Sequence, residues 1–501
     1  MKRLLLAICA LIFCGLSSAS ESQLGTIEFP NSGSEAAQES FTRAVLLLHS
    51  FEYEDAREAF VETQQIDPEF VLAYWGEAMT HNHPLWRRQD QEAAIVALNK
   101  LAPTTAERRN KSATEREHGY LAAVEALFGE GDKSWRDEAY SEAMQQLSER
   151  YPKDLEAKSF YALSILGLAE GVRDFGIYMR AGAVTEEIFD VNPQHPGAVH
   201  YMIHSYDDPV HAPLGLRAAR VYAKIAPAAS HAQHMISHIH VALGEWDESV
   251  EANVKSFDVS VERRARKGLG IDSLNYHSLH WLEYSYLQLG QFEKARELLD
   301  QMSEYVKESG SARALWYHAA MRSAWIVETE GAEAPEEMDS QATQVTGAAA
   351  NLFASGYAAL LKGDIAAAEL AAAAIDGRRE SASHGPLCDM TSGYDSTTQR
   401  DLVVAEVLQK SLLAMTHAAR ERPDKAIALL EEATAIEESM PLDFGPPIVV
   451  KPSHEIYGEL LLKMGRPREA LAQFEEALER APQRRLSVKG AQIARERIGA
   501  S

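Results

Sequence analysis

Histidines are concentrated in one part of the chain. There are 18 in all, and ten fall between His195 and His280. His200/His204 and His234/His238 lie four residues apart, and His231/His234 and His277/His280 three apart. On an α-helix, steps of three or four return to one face, so each pair can offer two imidazoles to one point in space. A divalent transition metal takes three or four nitrogen or oxygen donors at about 2.0–2.2 Å in fixed directions. Two such pairs on neighbouring helices supply a set, which makes His200, His204, His234 and His238 the favoured ligands. His231, His277, His280 and Asp207 form a wider shell or a second site, with Asp207 either an oxygen ligand or an outer partner that orients an imidazole. No thiolate joins them. Zn, Cu, Fe, Mn and Ni all fit, while so imidazole-rich a set disfavours Ca and Mg. Without a metal, the same patch would bind ligand carboxylates when protonated, or respond to pH.

The elements that must position these side chains are helices. Helical periodicity dominates and strand-like alternation is scarce. The clearest segment is SHEIYGELLLKMGRPREALAQFEEALERAP, from Ser453 to Pro482. It resembles a tetratricopeptide repeat, a helix–turn–helix unit of about 34 residues. With Pro482 at repeat position 32, Gly458 takes position 8, Ala470 position 20, Phe474 position 24 and Ala477 position 27. Ala56, Phe60 and Pro68 fit positions 20, 24 and 32 of an early repeat, and Gly244 and Gly290 fit inter-helix turns. The resemblance implies an all-α, TPR-like α-solenoid, a right-handed superhelix of helix–turn–helix repeats, over most of the chain.

That register gives the histidines a common frame. Pro193 and Pro227 are one repeat length apart, so the next first helices start at Pro196 and Ser230; Gly290 sets a third at Tyr276. The seven histidines then occupy only positions 2, 5 and 9. In tetratricopeptide proteins those positions line the concave groove, so the resemblance implies that the seven imidazoles form one of its walls, joined by Asp207 and Asp208. Three stretches, AYWGEAMTHNHPLW, HYMIHSYDDPVHAPLGLRAARVYAKIAPAASHAQHMISHIHVALGEW and FGPPIVVKPSHEIYGELLL, are similar to a broad group of bacterial exported tetratricopeptide proteins of unassigned activity.

Composition narrows the function classes. Lys and Arg number 49 against 74 Asp and Glu, a formal charge of -25, which argues against nucleic acid as a partner. Hydrophobic residues make up 46%, enough for an extended core. Lys2 and Arg3, the apolar run Leu4–Leu16 and the small residues Ser17–Ser20 have the layout of a secretory signal. Export to the periplasm or the extracellular space is the expectation, and bulky Phe13 before Cys14 disfavours a lipoprotein. No stretch is long and apolar enough for a transmembrane segment. After loss of the signal only Cys388 remains, so no intramolecular disulfide is expected. No Gly-rich phosphate loop, GxSxG, HExxH or CxxC appears.

The expected organisation is a signal peptide (1–20), an N-terminal extension (21–36), repeats with the His-rich groove (37–256), a basic insertion (257–275), repeats (276–375), a Gly/Ser/Asp-rich insertion (376–400) and C-terminal repeats (401–501). The basic insertion, with Arg263, Arg264, Arg266 and Lys267, is either a mobile lid for an anionic substrate or a solvated loop. Trp75 at position 5 would add an aromatic wall, and His81 and His83 would cap the groove or sit in a structural loop. Glu455 and Glu459 would face the groove as a carboxylate pair or as a solvated acidic face. His240 faces the core. His384, Cys388 and Asp389 fall in a loop, as an isolated thiol rather than a nucleophile. Two functions follow: a transition-metal site used to store or deliver metal or to act on a groove-bound substrate, or a non-catalytic periplasmic scaffold for a peptide, protein or small-molecule ligand in the concave groove.

Overall fold

A computed structural model describes residues 24–169, 173–331, 333, 343–384, 397–442 and 444–500. The signal segment, Cys388 and Asp389 lie outside the described residues. Among the described residues, twenty-three α-helices follow one another, with a single two-residue ladder pairing Asn82–His83 with Arg88–Gln89. The fold is an all-α solenoid of helical hairpins. No helix among the described residues is long and apolar enough to cross a membrane.

The last hairpin shows why these residues stack. Ser453–Lys463 and Pro467–Arg480 bury Ile456, Leu461, Ala470, Phe474 and Ala477. A Cβ on Gly458 would sit 2.8 Å from the Phe474 ring, and one on Gly490 of the next helix 2.4 Å from it. The ring fills a slot that exists only because both neighbours lack a side chain, which is the reason for a small residue at position 8 and Phe at 24. The register also holds in the centre: three first helices begin at Pro196, Ser230 and Tyr276 (Pro196–Tyr206, Ser230–Leu243 and Tyr276–Gln288).

Both ends of the solenoid fold back on its middle. At the N-terminal end, the helices Gln38–His49 and Tyr53–Ile66 reach the central repeats. The basic stretch is no lid. Its residues to Lys267 continue the helix Trp246–Lys267, and Arg263 and Lys267 pair with Asp55, with Glu54 and Glu58 also engaged. At the C-terminal end, Trp246 donates to the Gln483 carbonyl at 3.2 Å and Arg484 to the Tyr284 hydroxyl at 2.9 Å. Arg484 also meets Glu328 at 2.7 Å and Glu455 at 2.8 Å. Glu455 and Glu459 therefore do not await an external cation. Lys451 binds them at 2.9 and 2.8 Å, and Glu455 is wholly buried. Trp75, expected in the groove, is core, packed on Phe29, Tyr120 and Phe160.

Burial alone would raise the Glu455 carboxyl; Arg484 and Lys451 outweigh it and hold the group well below its ordinary 4.5. A carboxyl held low in the folded state stabilises the fold above its unfolded value, and that contribution is lost as pH falls. Stability should thus decline below about pH 4.5, less steeply in Glu455→Gln. Arg484→Met removes the nearest cation from Glu328 and leaves Glu455 to Lys451 alone, and should cost about 3 kcal/mol, as measured by denaturant unfolding.

Candidate metal centre

Six of the seven expected histidines converge in two adjacent triads. His200, His204 and His231 form the first, and His234, His238 and His277 the second; within each, the ligand atoms lie within 4.8 Å of one another. The triads adjoin, with the rings of His204 and His238 5.4 Å apart. The grouping differs from four favoured ligands around one point: each i,i+4 pair takes its third member from the next first helix. His280 stands outside both triads, its ring against Trp316 and Tyr317. Nor is the wall open. His200, His204, His234 and His238 are buried, and His231 and His277 half-buried.

The outer nitrogens settle how the rings are oriented. His200 Nδ1 is 2.6 Å from the His49 carbonyl oxygen, and His238 Nδ1 is 2.8 Å from Asp207 Oδ2. Both partners only accept at these positions, so each Nδ1 carries the hydrogen. His234 Nδ1 is 2.7 Å from Asn253 Oδ1; Asn253 spends its amide N–H on the Ser249 carbonyl at 2.9 Å, so its oxygen must accept. A neutral imidazole with Nδ1–H has its lone pair on Nε2. His234 Nε2 and His238 Nε2 therefore face each other as two lone pairs 3.1 Å apart. His200 Nε2 faces His231 Nε2 at the same separation, and His204 Nε2 is buried with no hydrogen-bond partner. Outer N–H groups anchored to oxygens, with inner lone pairs converging, is how proteins hold metal-ligating histidines.

Charge is controlled from behind. Burial alone would raise Asp207, but Arg173 and the N–H groups of His204 and His238 hold its carboxyl well below the usual range. Asp207 Oδ2 lies 2.8 Å from His238 Nδ1 and 3.4 Å from His204 Nδ1. It touches the backs of one imidazole from each triad, so its place is that of the outer partner. Arg173 also binds Asp208 at 3.0 Å. Burial, reinforced by repulsion between neighbouring imidazolium forms, pushes His200, His231 and His277 well below 6.5, and it does the same to His234; His204 is brought down to about 4 despite Asp207. These rings are neutral donors.

A third cluster behaves differently. His49, Glu156 and His195 are also close and wholly buried. His195 Nδ1 accepts the Ala198 N–H at 3.2 Å, so Nε2 holds the hydrogen, 3.0 Å from Glu156, and has no lone pair to give. His49 Nε2 lies 2.7 Å from the same carboxylate. This cluster fixes His49, whose carbonyl orients His200.

Aromatic residues from both chain ends cover the triads. The Phe51 ring lies 4.3 Å from His200 and 5.5 Å from His231, held there by a left-handed backbone (φ 57°) rare for a bulky residue. Trp281 stacks on His238 at 4.5 Å, and Phe444 on the same ring at 5.1 Å. Gly445 (φ 90°) lets that strap pass, since a Cβ there would come within 2.2 Å of Trp281. Trp86 and Phe444, 39% and 41% exposed, form the outer edges. His83 stacks on Tyr53 within this cover; His240 pairs with Glu245, and His384 is exposed at a helix end. Spacing could not reveal Arg173, Asn253, Phe51 or Trp281, although Trp86 and Phe444 lie in two of the stretches similar to the bacterial group.

Residues 452–484 match the family model described as "Tetratricopeptide repeat". No curated protein matches the chain. Among solved structures, the chain is similar to the APC/C hetero-tetramer Cut9–Hcn1 at 11% identity, covering 94% of this chain and 78% of that one, TM-score 0.37. It is also similar to yeast Tom70 at 12% identity, covering 93% and 96%, TM-score 0.33.

Nitrogen-15 NMR of histidine-labelled protein should find His200, His234 and His238 in the Nδ1–H form, and His204 still uncharged at pH 5. Because the fold favours the neutral rings, stability should be lost as pH falls below about 6.5. Asn253→Leu should release His234 into a tautomer mixture; an unchanged spectrum would contradict the assignment.

Proposed function

We propose that this tetratricopeptide-repeat solenoid binds transition-metal ions through its buried imidazoles, as an exported protein that stores or delivers the metal or uses it on a small substrate. The observation that carries the reading is the pair of Nε2 lone pairs of His234 and His238, 3.1 Å apart and each locked by an acceptor on its far side. Two lone pairs buried at that distance repel; a cation between them turns the repulsion into two bonds. His200, His204, His231 and His277 are the other donors, and Asp207 orients His204 and His238. His280, three residues past His277, would act only by packing beside it. An imidazole set of this kind suits Zn, Cu, Fe and Ni. Export rests on the signal-like layout of residues 1–20.

The scaffold reading places its ligand elsewhere, since Phe51 and Phe444 lie over the central histidines. An open cleft of about 610 Å³ beside Arg57, Glu77, His81 and Asp90 offers mixed charge to a peptide or partner protein.

Element analysis of protein purified without a histidine tag should find stoichiometric transition metal. His200→Ala and His238→Ala should each remove at least half of it while the far-ultraviolet circular dichroism stays helical. Substoichiometric metal unaffected by either variant would sink the reading, and capture of a partner by metal-free protein would favour the scaffold.

A further inference from the structure

We infer that the two triads form one coupled centre for two univalent copper ions, one in each triad, which share Asp207 behind them. This rests on the metal-binding reading and goes beyond it in number, charge and identity of the ions.

The number follows from the donors. Each triad presents three imidazoles within 4.8 Å, and no histidine belongs to both. His200 and His231 oppose their Nε2 atoms at 3.1 Å in one, and His234 and His238 do so in the other. The His200 lone pair in the first triad, and the two opposed lone pairs of His234 and His238 in the second, each take a cation. A single ion would leave the converging donors of one triad without a cation.

The charge follows from what surrounds them. An imidazole that ligates a metal does so as a neutral ring, so the six donors add no charge of their own. Asp207 and Asp208 are wholly buried and share the one guanidinium of Arg173, with His211 on Asp208 at 2.9 Å, and the Glu52 carboxyl accepts the His231 backbone N–H at 3.2 Å. Against these three carboxylates and the Arg173 guanidinium, two divalent ions would leave two positive charges unbalanced and two univalent ions none. Unbalanced charge in a low-dielectric interior is costly, so the surroundings favour the lower charge. Coordination points the same way. A divalent ion on three histidines ordinarily keeps a water in an open position. Here the Phe51 ring lies against His200 and His231, and the Trp281 ring against His234 and His238 at 4.7 and 4.5 Å. Three nitrogen donors under aromatic caps suit an ion content with three ligands and little water, as univalent copper is.

Coupling follows from Asp207. A single oxygen, Oδ2, serves His238 Nδ1 at 2.8 Å and His204 Nδ1 at 3.4 Å. Filling one triad fixes its imidazole and thereby the oxygen that orients the other.

The test is an anaerobic titration of the full chain with Cu(I) against a chromophoric chelator, with Zn(II) in competition and X-ray absorption on the loaded protein. Two equivalents should bind, with three nitrogen neighbours each, and equimolar Zn(II) should displace less than a tenth. His231→Ala and His277→Ala, at half-buried positions, should each leave one equivalent, held at least tenfold more weakly than either ion in the parent. Binding of one equivalent, ready displacement by Zn(II), or undiminished affinity in the variants would overturn the coupled copper pair while leaving metal binding intact. Failure to retain Cu(I), Zn(II), Ni(II), Fe(II) or Mn(II) would overturn both.

Discussion

A hydrogen bond from an imidazole N–H to an oxygen that can only accept has an effect at the other end of the ring. It commits the opposite nitrogen to a lone pair, and inside a protein that lone pair needs a partner. The His49 carbonyl, the Asn253 amide oxygen and the Asp207 carboxylate impose this on His200, His234 and His238. In the neighbouring cluster the Ala198 N–H imposes the reverse on His195, which turns a similar collection of residues into a structural knot around Glu156. The chemistry of each cluster is thus decided on the side facing away from it.

The solenoid makes such control feasible. Successive first helices place equivalent positions side by side, and the second helix of a hairpin stands behind them. Asn253 reaches His234 from that second layer. Asp207 caps the end of the first histidine helix, and Arg173 stands just before the helix Phe175–Val191 that precedes it. The cover is recruited from further off: the hairpin at Phe51 and the strap at Phe444 are each brought in by ion pairs, one through Arg263 and Lys267, the other through Arg484 and Lys451.

The repeat register was legible in the sequence because it is written in short-range chemistry. Gly458 and Phe474 need each other, and prolines stop helices where the pattern places them. The same register located six of the triad histidines. It misplaced His280 because residues three apart on a helix diverge by about 60°. His277 turns towards His234, and His280 towards the next helix at Trp316. It gave no hint that the groove would be covered, since that depends on contacts between residues some 200 or more apart in sequence, such as Arg263 with Asp55 and Arg484 with Tyr284. Glu455 and Glu459 read as groove carboxylates for the same reason. Their counter-ion, Lys451, was in view, but the depth at which it and Glu455 are buried was not.

Phe51 and Phe444 lie nearly four hundred positions apart, yet both rest on imidazoles that belong to neither end of the chain. The histidine cluster is consequently a gauge of the whole molecule's assembly. Its local dielectric, its ring currents and the solvent reaching it all depend on whether the two termini are docked. A truncation at either end, remote by any sequence measure, would register at the centre as a change of medium before any ligand atom had moved.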